Sequence, residues 1–193
     1  MKLDILIVGV GGQGTLLASR VLGEIAVLLG LDCKLNEIHG MSQRGGSVVT
    51  HVRMGNEVFS PTILEGNADY IIAFEKLEAL RWSYYLKEKG KIIVNNQKIL
   101  PMPVILGKQD YPKNVVGNMK KTHIVLDVNA ISIAKEINNP RAVNIILLGV
   151  FCALENIDIE LGLKAILKYV KPQFHESNII AFKKGYDIGG QYL

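Results

Sequence analysis

The chain has 193 residues, 49% hydrophobic and 21% charged, a balance that supports a packed core and excludes a disordered chain. Its formal net charge is +4, but Lys120-Lys121 and Lys183-Lys184 are the only adjacent basic pairs, so no nucleic-acid stripe is present. Cys33 and Cys152 are too few for a cubane iron–sulfur cluster, which takes about four thiolates, and they stand too far apart for a zinc site.

Residues 3–8 form a nearly continuous apolar run that stops at Gly9, the pattern of a strand buried on both faces of a parallel sheet. Residues 15–29 read as a helix, with Leu17, Val21, Ile25 and Leu28 at helical spacing and Gly30 placed to end it. A second strand over 33–38 completes a βαβ unit. The polar, glycine-rich loop 39–46 follows. Strands over 47–53 and 57–60 then flank Gly55-Asn56, a hairpin signal that adds an antiparallel element. Further expectations are a strand at 68–74, a helix at 75–87, a strand at 91–95 and a proline-bearing loop at 96–112. A strand at 123–128 and a short helix at 130–137 follow. Beyond Pro140 the pattern is wholly helical: 141–155 apolar on nearly every side, an amphipathic 159–170 capped by Asp158, and a last helix from about 174 to 186.

With no internal repeat or linker, residues 1–193 are read as one domain. It is a Rossmann-like α/β fold with a mostly parallel sheet, a β-hairpin insertion and a helical C-terminal layer. The start of the chain lacks a signal peptide's apolar segment, and the apolar stretch 142–154 is shorter than the ~20 residues that span a bilayer. A soluble, cytoplasmic protein without membrane contact is expected.

The strongest local motif is Gly9-Val10-Gly11-Gly12-Gln13-Gly14, between a strand and a helix. In such a motif Gly9 makes the tight turn, Gly11 lets a pyrophosphate approach the backbone and Gly14 permits close helix–strand packing, while the helix N-terminus favours an anion. Glu37, 23 residues past Gly14, matches the usual spacing of a ribose contact. Gly12-Gln13 and the adjoining loop depart from a plain dinucleotide site. The turn therefore reads either as a nucleotide-type site or as packing alone.

The second motif is Ser42-Gln43-Arg44-Gly45-Gly46-Ser47. Arg44 offers a rigid fork of donors to a carboxylate or phosphate, and the paired glycines free backbone N–H groups for an anion. The alternative is a turn whose glycines serve geometry. The basic residues likewise read as a rim facing an anionic cofactor or an acidic partner, or as solvated lysines. His39, His51, His123 and His175 lack metal-ligand spacing; His39, beside the loop, is either a proton donor or structural. No nucleophile elbow or phosphate-loop signature is present, so the catalytic residues stay unknown. A free-standing NAD(P)-dependent dehydrogenase and a nucleotide sensor both remain open on these residues alone.

Taken together, the glycine turn and residues 39–53 resemble the gamma-type domain of the 2-oxoacid:ferredoxin oxidoreductases. Further matches are Ser60-Pro61, Ala68-Asp69, residues 74–81, Val94-Asn95-Asn96, Tyr111-Pro112, residues 144–149 and residues 181–185. Gln43-Arg44-Gly45-Gly46 and residues 74–81 are most similar to the indolepyruvate branch, in which this domain is a separate small chain. Small chains for 2-oxoglutarate, pyruvate or 2-oxoisovalerate share much of the pattern. The resemblance implies a large partner subunit carrying thiamine diphosphate, Mg and iron–sulfur clusters, with none of these held by this chain. It implies oxidative decarboxylation of an aryl pyruvate to an aryl-acetyl-CoA, coenzyme A as co-substrate and ferredoxin as acceptor. Gly9, Gly11, Gly12, Gln13, Gly14, Ser42, Gln43, Arg44, Gly45 and Gly46 are the candidates for contacting coenzyme A, the thiamine site or the partner.

Overall fold

The computed structural model describes residues 1–39 and 45–192. At its centre is β1 (Leu3–Val10), all eight residues of which are buried. Leu3, Ile5 and Ile7 point into one core and Leu6 and Val8 into the other, so both faces of the sheet are covered. The sheet has six strands in the order β2-β3-β1-β4-β5-β6, where β2 is Asp32–His39, β3 Ser47–Gly55, β4 Ala68–Ala73, β5 Leu86–Asn95 and β6 Ile124–Val128. β1, β4, β5 and β6 pair in parallel, and β3 lies antiparallel to both β1 and β2.

This placement of β3 changes two expectations. The antiparallel element is present, but 57–60 is not a strand. Both edges of β3 are already taken, by β2 and β1, which leaves no ladder for a further strand to join. Instead Val58 N–H donates to Asp32 (3.0 Å), and Arg53 holds the carbonyls of Ser60 and Thr62 (3.2 and 3.1 Å). The βαβ unit is also opened: β2 sits at the sheet edge, separated from β1 by β3.

Helix α1 (Thr15–Leu28) packs on one face of the sheet together with α5 (Ala130–Glu136), α6 (Val143–Leu154), α7 (Ile159–Tyr169) and α8 (His175–Gly190). The other face is covered by α2 (Lys76–Trp82) and α4 (Val115–Met119). A one-turn α3 (Met102–Ile105) lies in the loop 96–112. Every residue of α6 is buried, as its unbroken apolarity requires, and Asp158 caps α7 by accepting from Glu160 N–H (2.7 Å). α6 and α8 touch backbone to backbone, because a Cβ on Gly185 would collide with the Ile146 carbonyl. The helix expected over 75–87 ends at Trp82. There Ser83–Tyr85 tighten into a 3-10 turn, and Tyr85 packs edge-on against the buried His51 (5.9 Å). Lys87 consequently belongs to β5. Cys152 is fully buried, whereas Cys33 is only half-buried on the edge strand. Among the described residues no helix is long and apolar enough to cross a membrane.

Candidate functional site

The chain leaves β1 for α1 and β2 on one side and returns through β4 on the other. The C-terminal ends of β1 and β4 therefore form the switch point at which open α/β sheets place ligands. The glycine motif lies there, with its roles redistributed. Gly9 is still inside β1, opposite Val48, and makes no turn. Its missing side chain serves packing, since a Cβ there would lie 3.3 Å from Phe74 Cβ. The turn is made by Gly12 and Gly14, at φ +99° and +85°, a region that disfavours L side chains. Gly14 also accepts from Asn144 Nδ2 through its carbonyl (3.2 Å), and a Cβ would lie 2.5 Å from that nitrogen. Gly11 N–H donates to the Gly46 carbonyl (2.8 Å), so the two glycine motifs are tied together directly.

Gln13 fills the variable position for a reason visible only in three dimensions. Its Oε1 accepts from Val10 N–H (2.7 Å), while its Nε2 donates to the Phe74 carbonyl (3.1 Å) and to Gln97 Oε1 (3.4 Å). The buried Asn95 donates to the same two oxygens (3.1 and 3.0 Å) and accepts from Ile131 N–H (3.2 Å). These amides lash together the ends of β1, β4 and β5 and the start of α5. Interlocking amide hydrogen bonds around a buried Asn95 restrain one another and stiffen these strand ends.

Two clefts flank the lashing. The first, about 390 Å³, is lined by Gly11, Gly12, Gly14, Thr15, Leu16, Glu37 and Val48, at the start of α1, which carries no side-chain cap. Glu37 does reach this cleft, where the spacing put it. Its Oε2, however, accepts from the hydroxyls of Thr15 (3.4 Å) and Thr50 (3.3 Å).

The second cleft, about 440 Å³, lies between Gly45, Gly46 and Ser47, the start of α2, and the loop 99–112. Its order comes from two carboxylates that sequence reasoning did not single out. Glu75, 1% exposed, accepts from Leu77 N–H (2.5 Å), Glu78 N–H (3.0 Å), Ile99 N–H (3.1 Å) and the Tyr111 hydroxyl (2.6 Å). It caps α2 and clasps the loop at the same time. Burial, together with this hydrogen bond and the charge of Glu75, pushes the Tyr111 phenol far above its ordinary range. Glu78 accepts from Ser47 and lies 3.6 Å from Arg81. Burial raises its carboxyl above the ordinary value, with Ser47 and Arg81 opposing the shift. The available signal was a pair of acids three residues apart at a helix start, which also reads as ordinary capping.

Ser42, Gln43 and Arg44 lie outside the described residues, as does the side chain of His39. His51 is buried and accepts from Ile63 N–H through Nδ1 (3.1 Å), and burial lowers its pKa, so it serves structure. Cys33 and Cys152, on β2 and α6, are pushed up by burial, Cys33 to about 11 and Cys152 further. Inert, separated thiols do not fit an iron–sulfur cluster.

The pyruvate ferredoxin/flavodoxin oxidoreductase family matches residues 4–188. The chain belongs to this family. A curated relative, the indolepyruvate oxidoreductase subunit IorB of Archaeoglobus fulgidus, is 39% identical over 97% of this chain and 95% of its own length. The crystal structure of a keto/oxoacid ferredoxin oxidoreductase gamma subunit from Geobacter sulfurreducens superposes with a TM-score of 0.72, at 26% identity, over 97% of this chain and 98% of that one. A 2-oxoglutarate:ferredoxin oxidoreductase from Magnetococcus marinus, solved with 2-oxoglutarate, coenzyme A and succinyl-CoA bound, shares the fold at a TM-score of 0.75 and 18% identity; all of this chain matches 31% of that one. Family membership removes the reading of a free-standing NAD(P)-dependent dehydrogenase. The opened βαβ unit and the engaged Glu37 agree with that.

Proposed function

We propose that this chain is the small subunit of a thiamine-dependent 2-oxoacid:ferredoxin oxidoreductase that acts on indolepyruvate and related aryl pyruvates. The reaction removes carbon dioxide from the oxoacid, joins the remaining acyl group to the sulfur of coenzyme A, and passes two electrons to ferredoxin in the cytoplasm. Thiamine diphosphate, Mg and the iron–sulfur clusters belong to a large partner subunit, since this chain's thiols do not fit a cluster. The observation that carries the reading is the bond from Gly11 to Gly46, which makes the two family motifs one surface at the switch point. The name of the 39% identical relative supports the aryl substrate.

In this reading the chain binds and positions rather than reacts. The turn at Gly12 and Gly14 and the uncapped start of α1 favour an anionic group of coenzyme A or of the partner. Arg44, from the adjoining motif, supplies a bidentate donor to the same group. The Gln13–Asn95–Gln97 amides and the Glu75 clasp hold both cleft walls in place. The test is an oxoacid panel on the complex reconstituted with its large subunit, read as coenzyme A-dependent dye reduction. Indolepyruvate should give the highest kcat/KM, ahead of pyruvate, 2-oxoglutarate and 2-oxoisovalerate. Preference for any of these three would overturn the aryl assignment and leave the subunit reading standing. In the same assay Arg44→Lys should raise the KM for coenzyme A and Arg44→Ala should raise it further. Wild-type constants in both would remove Arg44 from the site.

A further inference from the structure

We infer that Glu78 is a positioning residue: through the Ser47 hydroxyl it sets the place of the Gly45–Gly46 segment, and so of the anionic group that segment receives. Ser47 is the first residue of β3, opposite Val10 at the end of β1, and the Gly46 carbonyl before it accepts from Gly11 N–H (2.8 Å). These backbone bonds tie the segment to β1. The Ser47 side chain ties it to α2 as well. Its hydroxyl donates to Glu78 Oε2 and accepts from the Trp82 indole N–H (3.4 Å), two points one helical turn apart. Gly45, at φ +75°, makes the bend that leads into this doubly held residue.

Glu78 is itself firmly placed. Its N–H is held by Glu75 (3.0 Å), whose carboxylate also clasps the loop through Ile99 and Tyr111. Arg81, 3.6 Å from Oε1, supplies a counter-charge. A hydrogen bond to an ionised carboxylate is about twice as strong as a neutral one, so the charge of Glu78 holds Ser47 as well as its shape. That charge has a cost. Glu78 is 4% exposed and burial raises its pKa, so its ionised form lowers the stability of the fold. An apolar side chain of the same volume would carry no such cost. Glu78 nevertheless lines the same cleft as Gly45, Gly46 and Ser47. A buried acid kept in a cleft against stability is the pattern of a functional position.

The inference rests on the reading that this segment meets an anionic group of coenzyme A, and its test has one arm that does not. Glu78→Gln keeps the shape and loses the charge, Ser47→Ala loses the donor, and Ser47→Thr keeps it. In the full chain alone, amide hydrogen exchange over residues 45–48 should quicken about tenfold in Glu78→Gln and in Ser47→Ala, while β4 and β5 stay within about twofold of wild type. Ser47→Thr should stay near wild type, and Glu78→Gln should add nothing to Ser47→Ala. In the complex reconstituted with its large subunit, both damaging variants should raise the KM for coenzyme A about tenfold, with a smaller change in kcat. Unchanged exchange at 45–48, or equal quickening across the whole sheet, would overturn the positioning role whatever the complex does. Local quickening with a wild-type KM would overturn its consequence for the ligand. A wild-type complex without coenzyme A-dependent oxidation, beside local quickening, would refute the oxoacid reading and uphold the hold of Glu78 on the segment.

Discussion

Removing the Glu75 carboxylate should destabilise the protein more than its place at a seven-residue helix suggests. As a cap alone, Glu75 would contribute about 1 kcal/mol. It also accepts from Ile99 N–H and the Tyr111 hydroxyl, and hydrogen bonds to a charged group contribute about 1.5–3 kcal/mol each. Allowing for water entering the space left behind, Glu75→Ala should cost about 3–5 kcal/mol, a large share of the 5–15 kcal/mol typical of a domain. Tyr111→Phe removes one of four donors and should cost about 1–2 kcal/mol. The two should couple by about 0.5–3 kcal/mol in a double-mutant cycle, since they share one bond. Urea denaturation gives the energies, and limited proteolysis reports whether 96–112 is released first. Glu75→Ala within about 0.5 kcal/mol of wild type would refute the clasp.

Two further perturbations probe the walls of the clefts. Glu78 is held above its ordinary value, so the folded state binds its proton more tightly than the unfolded state does; this favourable contribution is lost as pH rises above about 4.5. Glu78→Gln should flatten stability against pH above that point in a denaturation series, and an unchanged slope would show that Glu78 is not its source. Gly12→Ala meets only backbone strain, whereas Gly14→Ala adds a clash with Asn144 to a left-handed φ. Both should lose about 1–2 kcal/mol to the backbone, with Gly14→Ala clearly the worse in melting temperature. Equal losses would mean that Asn144 yields freely.

The strands at 3–8, 68–74 and 91–95 were legible because apolar runs buried on both faces need no partner to be recognised, and α6 was legible for the same reason. The position of β3 was not, because residue spacing carries strand type but not the neighbour a strand chooses. Gly9 fits a turn signature and performs a packing task, which follows from Phe74, 65 residues away. Gln13, Glu75 and Asn95 look like ordinary polar residues until the ends of β1, β4 and β5 come together, so their role is invisible to local pattern. Gly11, Gly12, Gly14 and Glu37 line one cleft, where Thr15 and Thr50 engage Glu37, and Gly11 is bonded to Gly46, which lines the neighbouring cleft.

The proposed function is tested most directly by comparing this chain alone, the large partner chain (proposed to carry thiamine diphosphate and the clusters) alone, and the two mixed. The readout is dye reduction that depends on both indolepyruvate and coenzyme A. This chain alone should be colourless and inactive, because its two thiols cannot hold a cluster, and activity should appear only on mixing, with a saturable interaction seen by calorimetry. Cluster absorbance or oxoacid oxidation by this chain alone, or full activity of the large chain without it, would contradict the account.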